Sequence, residues 1–123
     1  MRIKISWKSK NIIASITDTP TSKKVVQVLP CNSTAHTWGD EVYFNVPVES
    51  ELEPNAQQVV DAGTLCFWVE GQSVAIPFGP TPMSQGNECR LVTKVNILGK
   101  VEGDCKVLKS VRSGDSIQVE VVS

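Results

Sequence analysis

Arg2-Ile3-Lys4-Ile5-Ser6-Trp7 places an apolar side chain at every second position. Successive side chains of an extended chain point to opposite faces, so Ile3, Ile5 and Trp7 share one side and Arg2, Lys4 and Ser6 the other. The segment predicts a half-buried strand. After it, Lys8 to Asn11 reads as a polar turn and Ile12 to Thr17 as a second strand. Val42, Phe44 and Val46 alternate in a third. Leu65–Glu70 and Ser73–Phe78 flank Gly71-Gln72, a two-residue link that predicts a hairpin with a type II′ turn. Val92 to Leu98 reads as a strand closed by Gly99, resuming over Lys100 to Glu102. Gln58 to Val60 predicts a shorter strand. Ile117, Val119 and Val121 alternate in the last one.

About eight strands separated by glycine and proline turns predict a mainly β fold, an antiparallel sheet closed over one core. Two segments break the alternation. Asp18-Thr19-Pro20 sets a capping residue before a proline suited to a helix's first position, and predicts one α-helix near residues 20–29 ending at Pro30. Val107, Leu108 and Val111 predict a short helical turn near 104–111. With no repeat and no linker, residues 1–123 read as a single domain.

The 123 residues carry 12 basic and 13 acidic side chains, a formal net charge of −1. That balance lacks the basic footprint of a nucleic-acid binder or a polybasic membrane module. The longest apolar run, Leu65 to Val69, is far shorter than the roughly 20 residues of a spanning helix. The alternating start contains no signal-peptide core, so the expectation is a cytoplasmic protein with reduced thiols at Cys31, Cys66, Cys89 and Cys105. No Cys-x-x-Cys is present and His36 is the sole histidine, so no metal site and no cofactor are expected.

The run Asn96-Ile97-Leu98-Gly99-Lys100-Val101-Glu102-Gly103-Asp104, then Val107-Leu108, then Gly114-Asp115 and the strand Ser116 to Val122, resembles the C-terminal third of cyclophilins. The N-terminal strand pair followed by Asp18-Thr19-Pro20-Thr21 resembles the approach to the cyclophilin first helix. Gly39-Asp40-Glu41-Val42-Tyr43-Phe44, Val60-Asp61-Ala62-Gly63 and Phe78-Gly79-Pro80-Thr81-Pro82-Met83-Ser84 resemble the marks of a small prokaryotic group of minimal cyclophilin-like proteins. The resemblance spans nearly the whole chain. It implies a closed cyclophilin-like barrel and carries over no assigned activity.

A prolyl isomerase of the cyclophilin type lowers a barrier of roughly 20 kcal/mol with an apolar pocket and an arginine that donates to the prolyl nitrogen. The family pattern places that arginine on a strand, two residues after an aromatic. Its counterpart here, Val42-Tyr43-Phe44-Asn45-Val46, contains none; the arginines are Arg2, Arg90 and Arg112. The resemblance therefore implies a binding module for a small molecule or an extended peptide, with weak prolyl isomerase activity as the alternative. No catalytic residue is assigned.

The candidate cleft is bordered by Trp38, Glu41, Tyr43, Phe44, Phe78, Thr81, Pro82, Met83 and Ser84. In the 78–86 loop, Phe78 and Met83 offer apolar walls and Thr81 and Ser84 offer hydroxyls; the plainer reading is that Pro80 and Pro82 stiffen a crossover. Asp40 and Glu41 point to opposite faces of a strand, which makes a shared carboxylate pair unworkable. Two readings of Glu41 stay open: a solvated residue after a turn, or a carboxyl facing the same cavity as Tyr43. Trp38 is the better ligand contact, whereas Trp68, inside an apolar run, reads as core.

Overall fold

The computed structural model describes residues 1–123. Ten strands form one antiparallel system: β1 (Arg2–Trp7), β2 (Lys10–Ile16), β3 (Cys31–Thr34), β4 (His36–Thr37), β5 (Glu41–Asn45), β6 (Gln57–Val60), β7 (Thr64–Trp68), β8 (Ser73–Pro77), β9 (Cys89–Val101) and β10 (Ser116–Val121). Their order is β3-β10-β1-β2-β9-β7-β8-β5-β4, with β6 added to β9. The two ends are consecutive in sequence. The Ser33 hydroxyl donates to the Asn45 carbonyl at 2.7 Å, so β3 meets β5 and the barrel is nearly closed.

The alternation in β1 is realised directly. Ile3, Ile5 and Trp7 are buried in a core that also takes Val42 and Phe44 from β5, Leu65 and Phe67 from β7, and Leu98 from β9. Each such side chain contributes roughly 1.5–3 kcal/mol by leaving water. Trp7 donates its indole Nε1–H to the Ser110 hydroxyl at 2.9 Å, which ties the barrel to a 3₁₀ helix at Cys105–Ser110. Asp104 caps that helix by accepting from the Lys106 N–H. The helix α1 (Pro20–Gln27) starts at a capping box: Thr19 accepts from the Ser22 N–H, and Ser22 accepts from the Thr19 N–H. Val25 carries its packing into the core. No helix is long and apolar enough to cross a membrane.

Several expectations are corrected. The ladder between β1 and β2 runs to Trp7↔Lys10, so the turn is only Lys8-Ser9, with Lys8 at φ +51°. Cys31–Thr34 and His36–Thr37, which carry no apolar alternation, are also strands: the first pairs with β10 through Ser116↔Thr34 to Val119↔Cys31. The 69–72 connection is not a type II′ turn, because the positive φ (+46°) belongs to Gln72 and not to Gly71. Gly99 does not close a strand. It lies inside β9, where a Cβ would stand 1.8 Å from the Ser15 carbonyl oxygen, so glycine permits β2 and β9 to approach.

One feature of β9 builds a second layer. Residues 96–101 pair with β7 and β2, while 89–95 pair with β6. This β6–β9 flap packs Val60, Cys89, Leu91 and Val95 against Cys66 and Ala75, on the face of the sheet that points away from the main core.

Candidate functional site

The outer face that the flap covers is built by register. Tyr43, Ala75 and Cys66 are consecutive partners across β5, β8 and β7, and Cys66 pairs with Ile97 of β9. Glu41 and Trp68, two residues along from Tyr43 and Cys66, point the same way. Between this face and the flap lies a cavity of about 190 Å³, lined by Trp38, Glu41, Tyr43, Trp68, Ala75, Leu91, Val92 and Val95. Seven of the eight are hydrophobic and the eighth is a carboxyl.

Glu41 is 6% exposed, so the solvated reading is overturned. Its Oε1 has no hydrogen-bond partner, and none of the protein's ion pairs includes it. Burial alone pushes the carboxyl up from an ordinary value of 4.5 to about 7, because the low-dielectric surroundings disfavour its charged form. Burial above all, and then the Glu41 charge, push the neighbouring Cys66 thiol upward. A second polar atom on these walls is orphaned: the Nε1–H of Trp68 is buried without an acceptor. Two unmet polar groups on one apolar cavity are unusual, since buried polar atoms are normally paired.

The walls are held by aromatic contacts. Tyr43 meets Trp68 edge-on with centroids 5.9 Å apart, and His36 stacks on Tyr43 at 5.2 Å. Trp38 is brought beside Glu41 by a tight turn in which its N–H donates to the Glu41 carbonyl at 3.0 Å.

The candidate cleft residues therefore separate. Trp38, Glu41 and Tyr43 line one cavity. Phe44 does not, because strand alternation turns it into the barrel core, where it is fully buried. The 78–84 loop lies elsewhere. Thr81 donates its hydroxyl to the Arg90 carbonyl, and the Ser84 hydroxyl accepts from the Thr81 and Arg90 N–H groups at 2.8 and 3.1 Å. These hydroxyls are thus engaged in holding the loop. Phe78 is buried, while Pro82 and Met83 are exposed. The loop acts as a brace: the Asp40 N–H donates to the Pro80 carbonyl and the Phe78 N–H to the Asp40 carbonyl. Gly39, at φ +60°, leaves no room for a Cβ, which would stand 2.8 Å from Pro82 Cδ. That brace fixes the start of β5, where Glu41 sits.

Trp68 is corrected from core to cavity wall, and Ala75, Leu91, Val92 and Val95 are additional lining residues. Nothing in their local pattern marks them; only the pairing of β8 with β5 and the fold-back of β9 bring them together.

A family model described as cyclophilin-like matches residues 1–120. A hypothetical protein of Archaeoglobus fulgidus, known from its solution structure, superposes with a TM-score of 0.84 and 33% identity over 99% of this chain and 95% of that one. McbB, known in complex with tryptophan, superposes with a TM-score of 0.70 at 16% identity; the match covers 98% of this chain and 46% of McbB. Among curated proteins nothing matches.

Proposed function

The chain belongs to the cyclophilin-like family, and on that premise we propose that it is a binding module for a small, largely apolar molecule held between the β5–β8–β7 face and the β6–β9 flap. The observation that carries this reading is the cavity itself, apolar on its walls except for one carboxyl with no partner and the unpaired indole N–H of Trp68. Ligand sites combine such apolar linings with a few placed polar groups. At about 190 Å³ the space is smaller than the roughly 300 Å³ at which drug-sized pockets begin, which favours a small molecule over an extended peptide. McbB lends a general precedent, as a protein of this fold that binds an aromatic amino acid.

Prolyl isomerase activity is the weaker reading. Arg2 is paired with Glu102 and Arg90 with Glu88, while Arg112 donates to the Lys109 carbonyl, so each arginine is engaged away from the cavity. Titration with indole, followed by methyl NMR, tests the proposal. Shifts are expected at Ala75, Leu91, Val92 and Val95, and Ala75→Leu, which fills the cavity, should abolish them. Shifts centred elsewhere, or indole binding untouched by Ala75→Leu, would overturn it. Catalysis of alanyl-prolyl isomerisation that Ala75→Leu removes would favour the isomerase instead.

A further inference from the structure

The cavity's chemistry specifies more than an apolar shape. Glu41 sits among Trp38, Tyr43 and Trp68, and the lining contains no lysine, arginine or histidine. A carboxylate or phosphate ligand would meet no positive group there and would face the charge of Glu41. A neutral apolar ligand would leave the carboxyl unpaired, and an unpaired buried polar group is costly. A cation removes that penalty, and the faces of aromatic rings attract it as well. We infer that the molecule taken up is an alkylammonium on an apolar body, its nitrogen paired with the Glu41 carboxylate and flanked by the Trp38, Tyr43 and Trp68 rings. This rests on the binding reading above and narrows it to one ligand class.

The groups facing Glu41 set how pH enters. Tyr43 on its own strand and Cys66 on β7 are the titratable neighbours, the flap lines the cavity with Leu91, Val92 and Val95 and sets Cys89 against Cys66, and His36 lies behind Tyr43. An ammonium pairs with ionised Glu41, so binding below neutrality must first release the carboxyl proton. With the carboxyl titrating at about 7, its ionised fraction rises about tenfold between pH 6 and pH 8. Affinity for a cation should rise by the same factor and level off above.

Calorimetric titrations with tryptamine, indole and indole-3-acetate share one ring system and vary only the charge. On the wild-type protein at pH 8, tryptamine is expected to bind at least tenfold more tightly than indole, and indole-3-acetate more weakly than indole. Tryptamine affinity should fall about tenfold at pH 6. Glu41→Gln should bring the tryptamine-to-indole ratio near one and erase its pH dependence, whereas His36→Gln should preserve that dependence. Indole bound with tryptamine no tighter, or with indole-3-acetate tightest, would overturn the ammonium inference and leave the binding module standing. Failure of all three probes to bind would overturn both.

Discussion

Trp68 lies so close against Gly71 that a Cβ on residue 71 would stand 2.2 Å from the ring's Cε3. Gly71 has no positive φ, so packing against the indole, and not turn geometry, is what requires glycine there. One wall of the cavity is thus held in place by a missing methyl group. Gly71→Ala should displace the Trp68 ring, cost roughly 1–3 kcal/mol as overpacking does, and shift tryptophan fluorescence. Unchanged stability and emission would show that the ring moves freely.

Glu41 imposes a pH dependence on folding. Its folded-state value of about 7 exceeds the ordinary 4.5, so between these values the folded chain holds more protons than the unfolded one. Stability is therefore fully present below about pH 4.5 and is lost as pH rises through 7, by on the order of 3 kcal/mol. Glu41→Gln should remove this loss, so that at pH 8 the variant melts at a higher temperature than wild type. Melting curves from pH 5 to 8 check this, and parallel curves for the two proteins would contradict it.

Gly99 answers to a different constraint. Any Cβ would collide with the Ser15 backbone, which no side-chain rotation relieves. Gly99→Ala should cost several kcal/mol, at or beyond the upper end of ordinary substitutions, and should raise amide exchange in β2 and the second half of β9. Retained stability would mean that these strands tolerate separation.

Asn96 anchors the 50–54 segment to the barrel. Fully buried, it accepts from the Glu53 N–H at 2.7 Å and donates to the Thr21 hydroxyl and the Glu51 carbonyl, both at 2.9 Å. Asn96→Ala strands these groups, so a loss of roughly 2–4 kcal/mol and faster proteolysis near Glu51–Glu53 are expected. Global destabilisation without local cleavage would argue against that anchoring.

How far the fold was legible follows from these same residues. The alternations of β1 and β5, and that of β10 as far as Val119 but not the exposed Val121, identified their core faces, and Thr19-Pro20 marked the helix start, because both signals are local. Cys31-Asn32-Ser33-Thr34 carries no apolar alternation; it is a strand because its backbone pairs with β10, a partner more than eighty residues away. Gly99 resembled a strand end because close backbone approach leaves the same residue as a turn does. At the site, alternation placed Glu41 with Tyr43, but burial of that outer face depends on β9 folding back with β6. The hydroxyls of Thr81 and Ser84 suited a ligand on paper, and the loop and β9 use them instead.

The most direct test of an apolar cavity with an unpaired carboxyl is a ¹³C NMR titration of the Glu41 side-chain carboxyl in the ligand-free protein. A midpoint near 7 is the expected result. A midpoint in the usual range near 4.5 would mean that water or an unseen partner already serves the group, and would contradict the account.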